Sequence, residues 1–347
     1  MKKWVYLSIL FLLFLIPQFL KSEEVVHVCT WYDLLPESVI KDFEKETKIK
    51  VVCDFFDNND ILEAKLLTEN VGYDVVTPTA VPYLSRGMEL GLYEKLNKEY
   101  LPNLKYVSPI LFEKTKSLKD YGIAYGFGTF GILYNPKVVN KIFPTINSYA
   151  VFFDPQNVKK VAPYGVALND DALDVLASVC DFYQISDENK AYAILEEIRP
   201  YIKYFNISRH ANDMNMQEIV LSLTPNHEAV RAVVSSKKIQ LQFFIPPSEK
   251  TLWCDMLAIA KGAPHLKNDY RFINFLLRPD IAARITNETL LPNSVSFQNR
   301  EFVEKEIQDN PQLFLPHLEH YHLHKTKTLT EYREISERWI RIITRKK

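Results

Sequence analysis

Short apolar runs alternate along the chain with segments whose apolar residues recur at helical spacing. The run VVHVCTW at residues 25–31 is followed by LPESVIKDFEKET, in which Val39, Ile40 and Phe43 fall on one helix face. The runs KIKVVCDFF and YDVVTP then enclose a second helical segment, DILEAKLLTEN. Such alternation of strands and helices is typical of parallel α/β proteins. The first part of the chain therefore predicts an α/β unit.

The same pattern returns late in the chain, after a middle region with strands and helices of its own. The late part contains LWCDMLAIA and then KNDYRFINFLLRPDIAARI, a helical segment that Pro279 should bend or interrupt. The middle region contains TFGILYNP, GVALNDDALDVLASVCDFY and KIQLQFFIPP, which predict a second α/β unit inserted into the first. Two units joined by more than one crossing enclose a cleft, where ligands commonly bind. The predicted division assigns residues 24–129 and 255–302 to lobe 1, and residues 130–254 and 303–347 to lobe 2.

The N-terminus has the pattern of a secretory signal peptide. Two lysines precede an apolar run from Trp4 to Leu20, and Ser22 offers the small residue of a cleavage site. We therefore expect residues 1–22 to be removed and the mature protein to be periplasmic. An uncleaved membrane anchor is the alternative, although the run is at the lower limit of length for a bilayer span.

The overall composition narrows the classes of function. Hydrophobic residues make up 47% of the 347-residue chain, which is enough for a large core. The 42 lysines and arginines are balanced by 43 aspartates and glutamates, so the net charge of −1 gives no reason to expect a nucleic-acid partner. The chain has no phosphate-binding glycine loop, no G-x-S-x-G motif and no H-E-x-x-H motif, so we expect neither catalysis nor a cofactor. Cys29, Cys53, Cys180 and Cys254 permit disulfides in an exported protein, but buried free thiols are the simpler expectation.

Trp253 and Asp255 are the pair of residues that most directly suggests a ligand. If LWCDMLAIA is a strand, the two side chains point to the same face, because strand side chains alternate. A ring beside a carboxylate is a poor core element but a good cradle for an organic cation. Two further acids, Asp171 and Asp174, lie where a helix is predicted to begin, a place that the helix dipole alone would also favour.

Histidines cluster near the C-terminus, in the segment LPHLEHYHLHK. His322 and His324 could share a metal ion on one strand face, since imidazole is a common zinc ligand. We expect instead that these histidines are polar surface residues of a C-terminal segment, and we predict no metal site.

Several segments together resemble one family of proteins. They are TWYDLLPESVIKDFEKETKIKV, YDVVTPTA, AYGFGTFGILYN, NDDALDVL and the late block from LWCDMLAIAKGA to FINFLLRPDIAARI. These segments are similar to those of the periplasmic spermidine/putrescine-binding proteins, the receptors of polyamine ABC importers. The resemblance implies the type II periplasmic binding protein fold, with two α/β lobes, crossing hinge strands and a ligand cleft between them. It also implies a polyamine ligand and partnership with a permease and an ATPase, and we expect the receptor to be a monomer.

The resemblance implies a set of ligand-binding residues: Trp31, Tyr32, Asp33, Thr79, Asp171, Asp174, Trp253 and Asp255. Asp171 and Asp174 fall where the family has two acids that bind a terminal ammonium group. Trp253 and Asp255 fall where it has the ring and the acid that hold the middle of the polyamine. Rings along the methylenes and carboxylates at the nitrogens are what such a ligand requires.

The chain departs from the family at three aromatic positions. Val81, Pro225 and Leu291 stand where the family has rings. Because the acids remain and these rings are lost, we expect the preference for cations to persist with a weaker hold on the methylenes. Two alternatives stay open: a receptor retuned to another amine or to a metal ion, and a degenerate regulatory or interaction protein that transports nothing.

Overall fold

The computed structural model describes residues 24–32, 34–68 and 72–344. The predicted signal peptide and Asp33 lie outside these residues. The strands of the described chain are β1 (Val25–Trp31), β2 (Lys50–Phe56), β3 (Val75–Val76), β4 (Gly122–Gly128), β5 (Phe130–Tyr134), β6 (Val166–Leu168), β7 (Tyr204–Phe205), β8 (Leu221–Pro225), β9 (Gln242–Phe244) and β10 (Trp253–Ile259).

Helices connect most of these strands. They are α1 (Glu37–Thr47), α2 (Asn59–Leu66), α3 (Ser85–Glu89), α4 (Pro109–Lys114), α5 (Pro136–Val139), α6 (Ala150–Phe153), α7 (Pro155–Val161), α8 (Ala172–Tyr183), α9 (Glu188–Ile198), α10 (His210–Asn215), α11 (Asn226–Ser235), α12 (Leu266–Leu276), α13 (Pro279–Thr289), α14 (Ser294–Gln298), α15 (Lys305–Gln308) and α16 (Leu329–Thr344). Within the described ranges, none of them combines the length and the apolar character that a membrane span needs.

The strands form two five-stranded sheets, which confirms the predicted two-lobe α/β fold. The first sheet has the order β2-β1-β3-β10-β4, and the second has the order β7-β6-β8-β5-β9. The first therefore combines early strands with the late strand β10, and the second is built from the middle of the chain. The exact boundaries of the lobes stay a prediction; β10 begins at Trp253, two residues before the predicted start of the second part of lobe 1.

Each sheet is mixed rather than wholly parallel, which corrects the expectation of parallel architecture. β1 pairs in parallel with β2 and β3, but β10 is antiparallel to β3 and β4. In the second sheet β5 is antiparallel to β8 and β9. The reason is the crossing between lobes: the chain leaves the first sheet along β4 and returns along β10, so the two strands run in opposite directions.

The crossings are short and tied to each other. Only Thr129 separates β4 from β5, and its hydroxyl donates to the backbone carbonyl of Thr251 at 2.6 Å. The C-terminal segment around His322 contacts these two crossings, because the backbone N–H of Leu252 donates to the carbonyl of His322 at 2.8 Å. These bonds hold the connections between the two sheets together.

Glu249 fixes the returning chain to the second lobe. One oxygen, Oε2, accepts from the Tyr149 hydroxyl at 2.6 Å and the Ser178 hydroxyl at 3.0 Å, and Oε1 accepts from the backbone N–H of Thr251 at 2.8 Å. The side chain is buried, and this burial, with the charge of Asp181, raises the pKa of Glu249 to about 7. A proton can therefore be held on this carboxyl near neutral pH.

The late helical segment is divided where the sequence predicted. Helix α12 ends at Leu276, and α13 begins with Pro279 at its first position. Proline is well tolerated there, since its missing N–H would have no partner in the first turn. The predicted interruption is confirmed.

Candidate ligand-binding site

A cleft of about 910 Å³, part of it open to solvent, lies between the two sheets and is lined by residues of both. Its lining contains six carboxylates and, among the described residues, no lysine or arginine. The acids are Asp57, Asp170, Asp171, Asp174, Glu228 and Asp255. Carboxylates that line a cleft with apolar walls create a negative electrostatic potential inside it, and this potential attracts cations.

Asp255 lies at the centre of a hydrogen-bonded chain on the first lobe. β10 has an irregular register between Cys254 and Met256, and there Asp255 forms an isolated bridge with Thr79, just beyond β3. The Thr79 hydroxyl donates to Asp255 Oδ1 at 2.6 Å and accepts from the Asn59 amide at 2.8 Å. Asp255 is only 6% exposed. The carboxylate is thus held in a fixed position in the cleft wall.

Trp253 also lines the cleft, as the strand alternation predicted. Its ring lies across Gly128 on the neighbouring strand β4, where a methyl group would overlap both the indole and the Asn226 side chain. The His227 ring meets it edge-on, with centroids 5.3 Å apart. Trp31 ends β1 of the same sheet, and its ring packs against Phe56 with centroids 4.6 Å apart. Two indoles therefore contribute to the lining near Asp255.

Asp171 and Asp174 stand at the first turn of α8, and both line the cleft. Asp171 is the N-cap residue: its Oδ1 accepts from the backbone N–H groups of Leu173 at 2.8 Å and Asp174 at 3.2 Å. Asp171 therefore has the structural role of capping the helix N-terminus, where the helix dipole favours an acid. Burial and the neighbouring charge of Asp174 raise the pKa of Asp171 above its ordinary value.

Asp174 is paired with a histidine from the far end of the chain. Its Oδ1 is 2.8 Å from His324 Nε2, and its Oδ2 accepts from the Asn169 amide at 3.0 Å. Burial alone would lower the pKa of His324, but the hydrogen bond and charge of Asp174, together with Asp171, raise it above its ordinary value. The expectation that His324 is a surface residue is wrong, because its side chain is only 11% exposed. The C-terminal segment returns to the cleft and places His324 against Asp174, which lies 150 residues earlier in the chain.

Tyr32 reaches across to the second lobe. It is 50% exposed, and its hydroxyl donates to Glu228 Oε1 at 3.3 Å. The Arg231 guanidinium lies 6.0 Å from the centroid of the Tyr32 ring. Tyr32 thus links the two rims of the cleft. The adjacent predicted residue, Asp33, lies outside the described part of the chain.

The three positions where rings are absent all belong to the cleft. Val81, Pro225 and Leu291 line it, and each is buried. An aliphatic side chain or a proline covers less of a methylene chain than an aromatic face does. The walls therefore combine six acids with non-aromatic side chains at these three positions.

Sequence reasoning missed some of the lining residues, which are Asn59, Tyr83, Phe130, His227, Glu228 and His324. Glu228 and His227 follow Pro225 at the start of α11, so their positions depend on where that helix points. No local pattern marks such residues, because the fold alone brings them to the cleft.

Among the described residues, no group of three or more histidines, cysteines or acids has the geometry of a metal site. His322 is exposed, whereas His324 contacts Asp174, so the two histidines do not share a ligand position. The four cysteines are free thiols in the structure.

Two lobes around an acidic cleft are the architecture of a ligand-binding receptor, and comparison with known protein families gives the same class. The chain belongs to the family of bacterial extracellular solute-binding proteins, whose model matches residues 38–314. This confirms the class that the sequence resemblance predicted.

Individual relatives of the chain have names that state a ligand. The putrescine-binding periplasmic protein SpuD of Pseudomonas aeruginosa is 32% identical over 84% of each chain. The putrescine-binding periplasmic protein PotF of Escherichia coli is 29% identical, over 85% of this chain and 84% of its own. A solved structure from Listeria monocytogenes, described as a spermidine/putrescine ABC transporter, has a TM-score of 0.80 and 25% identity, and the match covers 92% of this chain and 99% of that one.

Proposed function

We propose that this protein is an extracytoplasmic receptor that captures a polyamine or related amine in the cleft between its lobes. The observation that supports this most strongly is the lining: six carboxylates without a lysine or arginine among the described residues. The protein would deliver its ligand to the permease and ATPase of an ABC importer. In this proposal it acts in the periplasm after signal-peptide cleavage, as a monomer, and catalyses no reaction.

The forces available in such a cleft are sufficient for useful affinity. A desolvated contact between a cation and an indole face contributes about 2 kcal/mol. A hydrogen bond to a charged group contributes about 1.5–3 kcal/mol. Asp255 with Trp253 supplies one contact of each kind, and Glu228 offers a further carboxylate. Two or three such contacts, together with about 0.8 kcal/mol for each methylene group of the ligand that is buried, act against an association cost of at least about 4 kcal/mol.

Native mass spectrometry of protein purified without refolding tests the class of ligand. We expect a retained amine, identified by its mass, or a vacant protein that takes up putrescine or spermidine on addition. Calorimetry should then show heat of binding for the amines and none for 1,4-butanediol, which has the length of putrescine without its charges. Equal binding of the diol, or no binding of any amine by folded protein, would contradict the proposal.

A receptor retuned within the amines is the second candidate, and a specific observation favours it. Val81, Pro225 and Leu291 line the cleft at positions where the family resemblance implies rings, so the methylene chain of a long polyamine has fewer aromatic faces to contact. A panel of amines that differ in length and charge separates this candidate from a spermidine or putrescine receptor.

A further inference from the structure

The acid pair at one end of the cleft already has a histidine partner supplied by the protein. His324 Nε2 lies 2.8 Å from Asp174 Oδ1, and the Asn169 amide donates to Asp174 Oδ2 at 3.0 Å. The two side chains of the ion pair are only 11% and 14% exposed. Both carboxylate oxygens of Asp174 therefore have partners without any ligand.

The neighbouring Asp171 does not restore a free negative charge at this end. Its Oδ1 accepts two backbone N–H groups of α8, and burial beside Asp174 favours its protonated form. If Asp171 is protonated and His324 is charged, the three side chains together are neutral. An additional ammonium group placed there would meet the imidazolium of His324 rather than an unpaired acid.

Asn169 and Ser208 offer neutral polar groups at the same end of the cleft, beside Asp170, whose carboxylate accepts a backbone hydrogen bond from Ile207 and whose pKa is raised by burial. Asn169 follows β6, and Ser208 lies beyond β7, the strand that pairs in parallel with β6. The carboxyl ends of neighbouring parallel strands meet at one edge of a sheet, so both side chains belong to the same wall. The Asn169 amide keeps a second N–H beyond its bond to Asp174, and the Ser208 hydroxyl, which donates to Asn206 Oδ1 at 3.0 Å, can still accept, so both suit a neutral hydrogen-bonding group of a ligand.

We propose that the cleft selects an amine with one ammonium end and one neutral hydrogen-bonding end, such as a mono-acylated diamine, over a diamine charged at both ends. This inference rests on the proposed function and names the substrate class of the same site. The ammonium end binds at Asp255, whereas the neutral end lies beside His324. In this arrangement His324 determines specificity, because its charge disfavours a second ammonium group.

Titration calorimetry with putrescine and N-acetylputrescine at pH 7 tests the inference. We expect the wild-type protein to bind N-acetylputrescine at least about tenfold more tightly, since juxtaposed like charges cost more than 1.4 kcal/mol. His324→Gln keeps a donor for Asp174 and removes the charge. It should improve putrescine binding at least about tenfold and change N-acetylputrescine binding by less than about threefold. His320→Gln, at an exposed position of the same segment, is the matched control and should change neither.

The outcomes separate this inference from the proposed function. A wild-type preference for putrescine, or a ratio that His324→Gln leaves unchanged, overturns the inference while amine binding itself persists. If neither amine binds to folded wild-type protein, both are overturned. The wild-type ratio decides the matter alone if His324→Gln does not fold.

Discussion

Replacing Asp255 with asparagine removes one negative charge from the centre of the cleft and changes little else. The asparagine side chain has the same shape, and its carbonyl oxygen can still accept from the Thr79 hydroxyl, which lies 2.6 Å from Asp255 Oδ1. Asn59 continues to hold Thr79 through its amide at 2.8 Å. The perturbation therefore isolates the charge that we expect to bind an ammonium group.

The size of the effect follows from the burial of this carboxylate. Asp255 is 6% exposed, so a ligand nitrogen that pairs with it is largely desolvated. Breaking such a pair costs about 2–5 kcal/mol, or about 30-fold to 4,000-fold in dissociation constant. The free energy of unfolding without ligand should fall by no more than about 1.5 kcal/mol, the usual net value of one hydrogen bond.

Calorimetry and thermal melts of the two proteins measure both quantities. Asp120→Asn is the control, because it removes the same charge from a position that is 61% exposed and outside the cleft. If Asp255 were only a structural partner, Asp255→Asn would lose stability without ligand and keep its amine affinity. Unchanged affinity in a folded variant would refute the assignment of Asp255 as a ligand-binding residue.

Three further variants test other parts of the account. Val81→Tyr with Pro225→Trp should tighten amine binding by restoring faces along the methylenes; calorimetry of a folded double variant with no gain would count against the role of the lost rings. Gly128→Ala should weaken amine binding at least about tenfold, because the new methyl group displaces the Trp253 ring; an unaltered dissociation constant would show that the ring is not needed. Glu249 holds a proton in the folded state between its ordinary pKa of 4.5 and about 7, so stability should decline by up to about 3 kcal/mol as pH rises through this range. Glu249→Gln should flatten that decline in urea denaturation at pH 5 and pH 8, and an identical slope in both proteins would refute the assignment.

The sequence predicted the elements better than their directions. The apolar run at residues 25–31 is β1, and Pro279 divides the late helical segment. Only Val75 and Val76 of the third predicted run form a strand. These are the two residues of the run that pair with β1 on one side and with β10 on the other. The antiparallel direction of β10 depends on how the chain crosses between lobes, which periodicity alone does not reveal.

The candidate site was predictable where a local pattern or the family resemblance marked it. Trp253 and Asp255 could be assigned to one face because strand side chains alternate, and both line the cleft. The role of His324 could not be predicted, because its partner Asp174 is 150 residues away along the chain. Contacts at that separation follow from how the lobes and the C-terminal segment pack, and no single segment encodes them.

A crystal structure of the protein grown with its tightest-binding amine tests the central claim most directly. The account predicts one ligand in the cleft, with an amine nitrogen within hydrogen-bonding distance of the Asp255 carboxylate and its methylenes against the rings of Trp31 and Trp253. Density for the amine on another surface, or in the cleft with no nitrogen near Asp255, would contradict it.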